Sequence, residues 1–156
     1  MKYDFRECKY EDTDFILKLK RLGLKWYIEK IYGWDDQVQR DITRKELDKT
    51  IKDTRIIRVD NSDIGVTAFH KNKEYYCIGL TVIHPDYQNK GIATEILSKY
   101  INQAKVDKKR IIIKTYIYNP ARKLYERLGF KAYDMDDTHV YMDIDFRNGG
   151  ILWLEK

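Results

Sequence analysis

Alternating and helically spaced apolar positions divide the chain into a succession of short elements. Tyr3 to Cys8 reads as a first strand. Glu11, Asp12 and Asp14 put negative charge where a helix N-terminus attracts it. The helix that follows carries Phe15, Leu19, Leu22 and Trp26 on one stripe, with Leu17, Leu24, Ile28 and Ile31 widening its apolar face. Gly33-Trp34-Asp35-Asp36 ends that run, and Asp35 or Asp36 can cap a second helix with Val38, Ile42 and Ile51 facing inward. Ile56 to Val59 and Ile64 to Lys71, on either side of Asn61-Ser62-Asp63, predict an antiparallel hairpin. From Tyr75 to His84, Ile78, Leu80 and Val82 alternate with Cys77, Gly79 and Thr81, the period of a strand.

Farther along, Ile92, Ile96, Leu97, Tyr100, Ile101 and Ala104 recur at helical spacing. The unbroken Ile111-Ile112-Ile113 predicts a strand buried on both faces, hence one with a parallel neighbour. Ala121 to Leu128 reads as a helix, followed by a strand from Phe130. Val140, Met142, Ile144 and Phe146 alternate in a last strand. The predicted order is β-α-α-β-β-β-α-β-α-β-β, an α/β fold with a mixed, twisted sheet of about seven strands flanked by helices. There is no repeat, low-complexity tract or Pro-rich linker, so residues 1–146 are expected to form one domain and 147–156 a tail. That tail sets Gly149-Gly150 before Ile151-Leu152-Trp153-Leu154.

Composition narrows the class. Of 156 residues, 43% are hydrophobic, enough for a real core, while 35% charged residues and a mean hydropathy of -0.66 favour a soluble protein. No apolar run is long enough to span a bilayer, and Met1-Lys2-Tyr3-Asp4-Phe5 lacks the hydrophobic segment of a signal peptide, so a cytoplasmic location is expected. The net charge of +5 would suit an anionic ligand. Lys and Arg are interspersed with Asp and Glu, without the sustained basic stripe of a nucleic-acid binder. Cys8 and Cys77 form neither a disulfide framework nor a zinc-ligand spacing, and no metal is expected.

Two segments point to chemistry. Gln88-Asn89-Lys90-Gly91-Ile92-Ala93 lies between a predicted strand and a predicted helix. Such a junction leaves backbone N–H groups free at the helix N-terminus, a natural seat for a pyrophosphate. It lacks the Gly-x-x-x-x-Gly-Lys-Ser/Thr arrangement of a P-loop. Asn119-Pro120-Ala121-Arg122-Lys123-Leu124-Tyr125-Glu126-Arg127-Leu128-Gly129-Phe130 reads as a short helix with Pro at its start and Gly past its end. Together the two segments resemble the GNAT N-acetyltransferase superfamily. Its cofactor turn has the form Gln/Arg-x-x-Gly-x-Gly/Ala, and its later helix commonly reads Asn-x-x-Ala-x-x-Leu-Tyr-x-x-x-Gly-Phe, a spacing this chain keeps from Ala121 to Phe130 with one residue fewer between Asn119 and Ala121. The likeness is specific from about Leu80 to Phe130, and Gly33-Trp34-Asp35 is similar to a segment of some bacterial members.

The resemblance implies transfer of an acetyl group from acetyl-CoA to an amine. It assigns the pyrophosphate to the backbone from Asn89 to Thr94, through Lys90, Gly91, Ile92 and Ala93, with Gln88 and Lys90 as side-chain helpers. Leu80, Val82 and Ile83 would pair through their backbone with the pantetheine arm, and the Val82 N–H would face the carbonyl oxygen as it gains charge. Asn119 and Ala121 would meet the cofactor arm. Tyr125 would protonate the departing thiolate, a phenol's ordinary pKa of about 10 being suited to that task. Leu80 and Val82 would also fill the core in any fold, and a helical Tyr beside Leu124 and Leu128 could equally be a core edge.

The acceptor side is less marked. An alkylamine is only about 0.04% neutral at pH 7, so a base or a water path helps. Some family members carry a glutamate on the strand before the cofactor turn, but Tyr75-Tyr76-Cys77-Ile78-Gly79 has no carboxylate, and Glu74 precedes it. Relay through water is expected, with His139 or Glu29 as bases of last resort. Trp26, Tyr27, Glu29, Tyr32, Trp34 and Asp35 gather aromatic faces and carboxylates that suit a cationic amine, while Trp26 and Tyr27 could instead be core and Asp35 a cap. The expected partner is a small-molecule or peptide amine, not nucleic acid or membrane, and the expected state a monomer or homodimer. The rival reading is a noncatalytic CoA-binding or basic nucleic-acid-binding module.

Overall fold

Chain order runs β1 (Asp4–Glu7), α1 (Thr13–Gly23), α2 (Lys25–Tyr32), α3 (Asp36–Thr50), β2 (Thr54–Val59), β3 (Ser62–Lys71), β4 (Tyr75–Ile83), α4 (Ile92–Val106), β5 (Arg110–Tyr116), α5 (Arg122–Arg127), β6 (Lys131–Met135) and β7 (His139–Asp145). These elements come from a computed structural model that describes residues 1–147. The described strands form one mixed sheet in the order β1-β2-β3-β4-β5-β7-β6. The expected parallel neighbour of Ile111-Ile112-Ile113 is β4, with Tyr75 to Ile78 beside Arg110 to Ile113. Ile111 and Ile113 are buried and Ile112 is half-buried. The β1/β2, β2/β3, β5/β7 and β6/β7 pairs are antiparallel. Gly149-Gly150 and the apolar residues after them lie outside the described residues.

The chain forms two compact units, Met1–Ala68 with Leu80–Ala93, and Phe69–Gly79 with the described residues from Thr94 onward. Cys8, Ile16, Leu19, Leu47, Ile56, Val66 and Val82 make a core in the first. Tyr76, Ile78, Leu97, Ala104, Ile111, Ile113, Tyr125, Phe130, Val140 and Met142 make the core of the second. Each full burial of such a side chain contributes about 1.5–3 kcal/mol, so the sheet positions and the helix stripes reinforce one another.

The expected single first helix is two. Gly23 packs so close to Val82 that a Cβ there would stand 2.9 Å from Val82 Cγ1, and at Leu24 the backbone leaves the helical region (φ -121°, ψ -16°). The chain therefore turns between α1 and α2, and three helices rather than two precede β2. Leu22 and Trp26 leave the expected apolar stripe and are exposed. In α3 the inward stripe is Gln39, Thr43 and Leu47, whereas Val38 and Ile42 face solvent. The reason is a polar seam. Lys20 is buried on α1, and its ammonium donates to Thr43 Oγ1 (3.0 Å) and Glu46 Oε1 (2.9 Å). Thr43 in turn donates to the Gln39 carbonyl (2.8 Å). A buried ammonium needs such acceptors more than the helix needs two more apolar contacts. Ile51 follows α3 and packs against the first core as expected.

Smaller differences lie at strand ends. Tyr3 and Cys8 flank β1, Phe130 is buried just before β6, and Phe146 lies just past β7. Phe130 is not a strand residue because Gly129 (φ +109°) turns the chain there, and its N–H closes onto the Tyr125 carbonyl (3.0 Å).

Gly65 of β3 fixes how closely the end of β4 approaches. A Cβ on Gly65 would lie 2.8 Å from the Val82 carbonyl oxygen and 3.1 Å from Ile57 Cδ1. Main chain cannot retreat as a flexible side chain can. We expect Gly65→Ala to destabilise the protein by about 1–3 kcal/mol, read as a lower urea midpoint; an unchanged midpoint would contradict this packing.

Candidate functional site

In the first unit, several interactions hold the chain after β4. The His84 N–H donates to the Ile64 carbonyl (2.7 Å), and His84 Nδ1 accepts from the Asp86 N–H (3.1 Å). A short 3-10 turn over Pro85–Tyr87 follows. The Gln88 side-chain amide then reaches back to the Ile83 carbonyl (2.9 Å). This gives Gln88 a structural task beside the phosphate-helper role expected of it.

Two left-handed residues then aim the chain into α4. Asn89 has φ +61° and Gly91 φ +83°. Asn tolerates that region better than most side chains, and Gly enters it without steric cost. A Cβ on Gly91 would meet nothing within 4 Å, so the glycine serves conformation, and the space over it is open. Ile92 anchors the start of α4 in the interior, while Asn89, Lys90, Gly91 and Thr94 are exposed and Ala93 is half-buried. The amides of the helix's first turn carry its positive dipole end. Val82 and Ile83 are buried and Leu80 packs against the first core, so their side chains are structural.

In the second unit, β5 continues through Lys114, Thr115 and Tyr116 after its pairing with β4 reaches Ile113. Thr115 is buried, and its hydroxyl has no hydrogen-bond partner among the described residues. Beyond β5, the Asn119 N–H donates to the Tyr116 carbonyl (3.0 Å), and Asn119 Oδ1 accepts from the Ala121 N–H (2.9 Å). Asn119 thus makes a local turn just ahead of α5, whose N-cap position is Ala121 and carries no side-chain capping bond. One helical turn on, the Tyr125 N–H donates to the Ala121 carbonyl (3.1 Å). The Tyr125 ring is buried edge-on to Phe130, with centroids 6.3 Å apart.

An acetyltransferase (GNAT) domain family matches residues 27–145. The chain belongs to the GNAT acetyltransferases. Among solved structures it is similar to a PaiA N-acetyltransferase of Thermoplasma acidophilum in complex with coenzyme A, at 17% identity and a TM-score of 0.72, over 94% of this chain and 100% of that one. It is also similar to the ribosomal-protein-S18-alanine N-acetyltransferase of Escherichia coli, at 12% identity and TM-score 0.65, over 96% and 97%. A GNAT family acetyltransferase of Brucella melitensis in complex with acetyl-CoA matches at 16% identity and TM-score 0.59, over 93% and 88%. No curated protein matches the sequence.

On this GNAT scaffold, Trp26, Tyr27, Trp34 and Asp35, expected to meet the acceptor, are already engaged with neighbouring groups of the protein. Lys30 Nζ stands 4.4 Å from the centre of the exposed Trp26 ring, and Tyr27 packs edge-on against it at 5.2 Å. Burial holds the half-buried Tyr27 phenol above its ordinary pKa. Lys25 Nζ lies 6.0 Å from the Trp34 ring, whose Nε1 donates to Asp36 Oδ1 (2.7 Å), an oxygen that also takes the Arg21 Nε (3.2 Å). Asp35 caps α3 by accepting from the Val38 N–H (3.0 Å). A substrate cation would have to displace the protein's own lysines from these rings. Glu29 is exposed on α2.

His139 opens β7, where its ring lies against Tyr116 with centroids 4.6 Å apart and the planes tilted by 34°. Sequence reasoning missed that Asp136 and Thr138 bond to it and to each other. The signal was present as Asp136-Asp137-Thr138-His139, a carboxylate, a hydroxyl and an imidazole within one tight hairpin. Burial pushes the Cys8 thiol up to about 11 and raises Cys77 as well, so both stay protonated at neutral pH and neither is an activated nucleophile.

The Asn119 main-chain N–H holds the end of β5, and its carboxamide holds the Ala121 N–H just ahead of α5. Asn119→Ala should cost about 1 kcal/mol, the scale of one lost hydrogen bond, and Asn119→Asp, which keeps the acceptor, should cost less. Chemical denaturation of the two variants checks this; equal stabilities would refute it.

Proposed function

We propose that the protein is an N-acetyltransferase that transfers an acetyl group from acetyl-CoA to a primary amine of a small molecule or peptide, by direct attack in a ternary complex. It works in the cytoplasm as a monomer or homodimer. The observation that carries this reading is the turn before α4: a left-handed Asn89 and Gly91, open space over Gly91 and a helix N-terminus directly behind. Relatives of the same fold are in complex with coenzyme A or acetyl-CoA. A relative that acetylates a ribosomal-protein alanine supports a peptide amine among the acceptor classes.

Backbone amides from Asn89 to Thr94 take the pyrophosphate, with help from Lys90 and Gln88, and the protein's net positive charge favours the anionic cofactor. The main chain of Leu80, Val82 and Ile83 pairs with the pantetheine arm. The Val82 N–H donates to the thioester carbonyl oxygen as it gains charge, an effect worth about 2.7–4 kcal/mol in comparable oxyanion sites. Asn119 and Ala121 hold the cofactor arm, and Tyr125 gives its phenolic proton to the departing sulfur. Protonated thiols at Cys8 and Cys77 favour direct attack by the amine over an acetyl-cysteine intermediate. Trp26, Tyr27, Glu29, Trp34 and His139 remain the acceptor-binding set, with Lys30 and Lys25 moving aside for the incoming cation.

Acetyl-CoA at a hundred times its Kd should stabilise the fold by about 2.7 kcal/mol, raising the melting temperature. An unchanged transition at saturation would exclude the cofactor. With an amine found by screening for free-thiol release, Tyr125→Phe should lower kcat by about a hundredfold and leave cofactor affinity nearly intact. Binding without thiol release across the screen would favour a noncatalytic CoA-binding module.

A further inference from the structure

The hairpin between β6 and β7 closes with the Asp136 N–H on the His139 carbonyl (3.0 Å), and the Ile117 N–H donates to the Thr138 carbonyl (3.0 Å), tying the turn to the end of β5. Within it, Asp136 Oδ1 accepts from the N–H groups of Thr138 (2.8 Å) and His139 (2.7 Å) and from the Thr138 hydroxyl (3.0 Å). Its Oδ2 accepts from the Tyr141 hydroxyl (2.7 Å). The Tyr141 hydroxyl and these other donors hold the Asp136 carboxyl well below the ordinary carboxylate range, so it is ionised and can only accept.

That constraint fixes the imidazole. Thr138 Oγ1 lies 2.8 Å from His139 Nδ1 and owns a single proton, which Asp136 claims. The hydroxyl oxygen must therefore accept from Nδ1–H. A neutral ring with its proton on Nδ1 carries its free electron pair on Nε2. Among the described residues, the imidazole's hydrogen bonds are confined to Nδ1, which leaves Nε2 available.

The groups facing His139 are Lys114 and Tyr116 on β5, Tyr141 on β7 and Asp136 in the turn. Burial lowers its pKa below the ordinary 6.5, Lys114 lowers it further, and Asp136 opposes them. The neutral, proton-accepting ring is thus the form present at pH 7.

Its place fits the acceptor's deprotonation. His139 pairs with Tyr116, three residues past Ile113, the end of the β4 pairing. Next to that pair, Thr115 faces Val140 in register and buries an unpartnered hydroxyl, and Val140 packs in the core that holds Tyr125. A ligand or water at this strand end would supply the missing partner.

We propose that His139 is the general base of the reaction, with Asp136 and Thr138 as positioning residues that hold its Nε2 lone pair ready for the acceptor ammonium. The inference rests on the acetyltransferase reading above. Nε2 takes one proton from the ammonium, directly or through a water, and the freed nitrogen pair forms the C–N bond. The C–S pair leaves with sulfur, which takes the Tyr125 proton. The tyrosinate recovers a proton from the new amide nitrogen, and His139 releases its proton to solvent, so one proton is set free per acetyl transferred.

Nitrogen-15 NMR of the imidazole tests the geometry without a substrate. Wild-type protein should show a protonated Nδ1, a pyridine-like Nε2 and a titration midpoint below about 6.5. Thr138→Val should lose the tautomer preference and Thr138→Ser keep it. A predominant Nε2–H tautomer, or a midpoint above the ordinary value, would overturn the proposal. Kinetics on a panel of spermidine, tyramine and a lysine-containing peptide gives the second arm. Wild-type kcat/KM should rise with pH through the NMR midpoint, and His139→Gln should lose that limb and about a hundredfold in rate at pH 7, with acetyl-CoA affinity unchanged. A retained limb in His139→Gln would refute the base while leaving acetyl transfer intact; failure of wild-type protein to bind acetyl-CoA would sink the underlying reading and leave the NMR result standing.

Discussion

The backbone between Ile83 and Ile92 carries the proposed chemistry, and it is held from both ends. The Gln88 amide grips the Ile83 carbonyl, the His84 N–H is spent on Ile64, and Asn89 and Gly91 adopt left-handed conformations that swing the chain into α4. Left-handed residues outside turns are costly for most side chains, and here the two best-suited residue types occupy them. On the proposed reading, main-chain N–H groups at the start of α4 meet the cofactor's pyrophosphate without side-chain rearrangement. Preorganisation of this kind contributes through what does not have to move on binding.

The fold behind that turn was legible in the sequence wherever period and burial agreed. Ile111-Ile112-Ile113 announced a strand with a parallel neighbour, and β4 is that neighbour; the alternation of Val140 and Met142 fixed the inward face of β7. Legibility failed where a single close contact overrode a pattern. The stripe Phe15, Leu19, Leu22, Trp26 is a sound helical period, yet the backbone leaves the helical region at Leu24, next to a Gly23 that approaches Val82 as only a residue without a Cβ can. Likewise Val38 and Ile42 outscore Gln39 and Thr43 on any hydrophobicity scale, but the buried Lys20 ammonium requires oxygen acceptors and turns α3 by one position. A pattern of apolar residues cannot announce a partner that is polar and distant in sequence.

The candidate site divides the same way. The turn at Gln88 to Ala93 was readable as a conformational break, because left-handed Asn89 and Gly91 leave a residue-type signature, and α5 was readable between Pro120 and Gly129. The acceptor side was not, because aromatic and acidic residues clustered in sequence can satisfy one another. Trp34 bonds Asp36, Lys30 covers Trp26, and Asp35 caps a helix. In the sequence His139 follows Asp136-Asp137-Thr138, a local signal that periodicity does not pick out. In the hairpin a carboxylate and a hydroxyl, three and one residues before it, bond to each other and the hydroxyl meets Nδ1, the arrangement on which the proposed base rests.

The most direct test of the account is amide proton and nitrogen NMR of the protein titrated with coenzyme A. Main-chain capture of the pyrophosphate requires the largest shifts at Asn89 to Thr94, saturating together. Saturable binding that leaves those amides in place and perturbs another surface would contradict it.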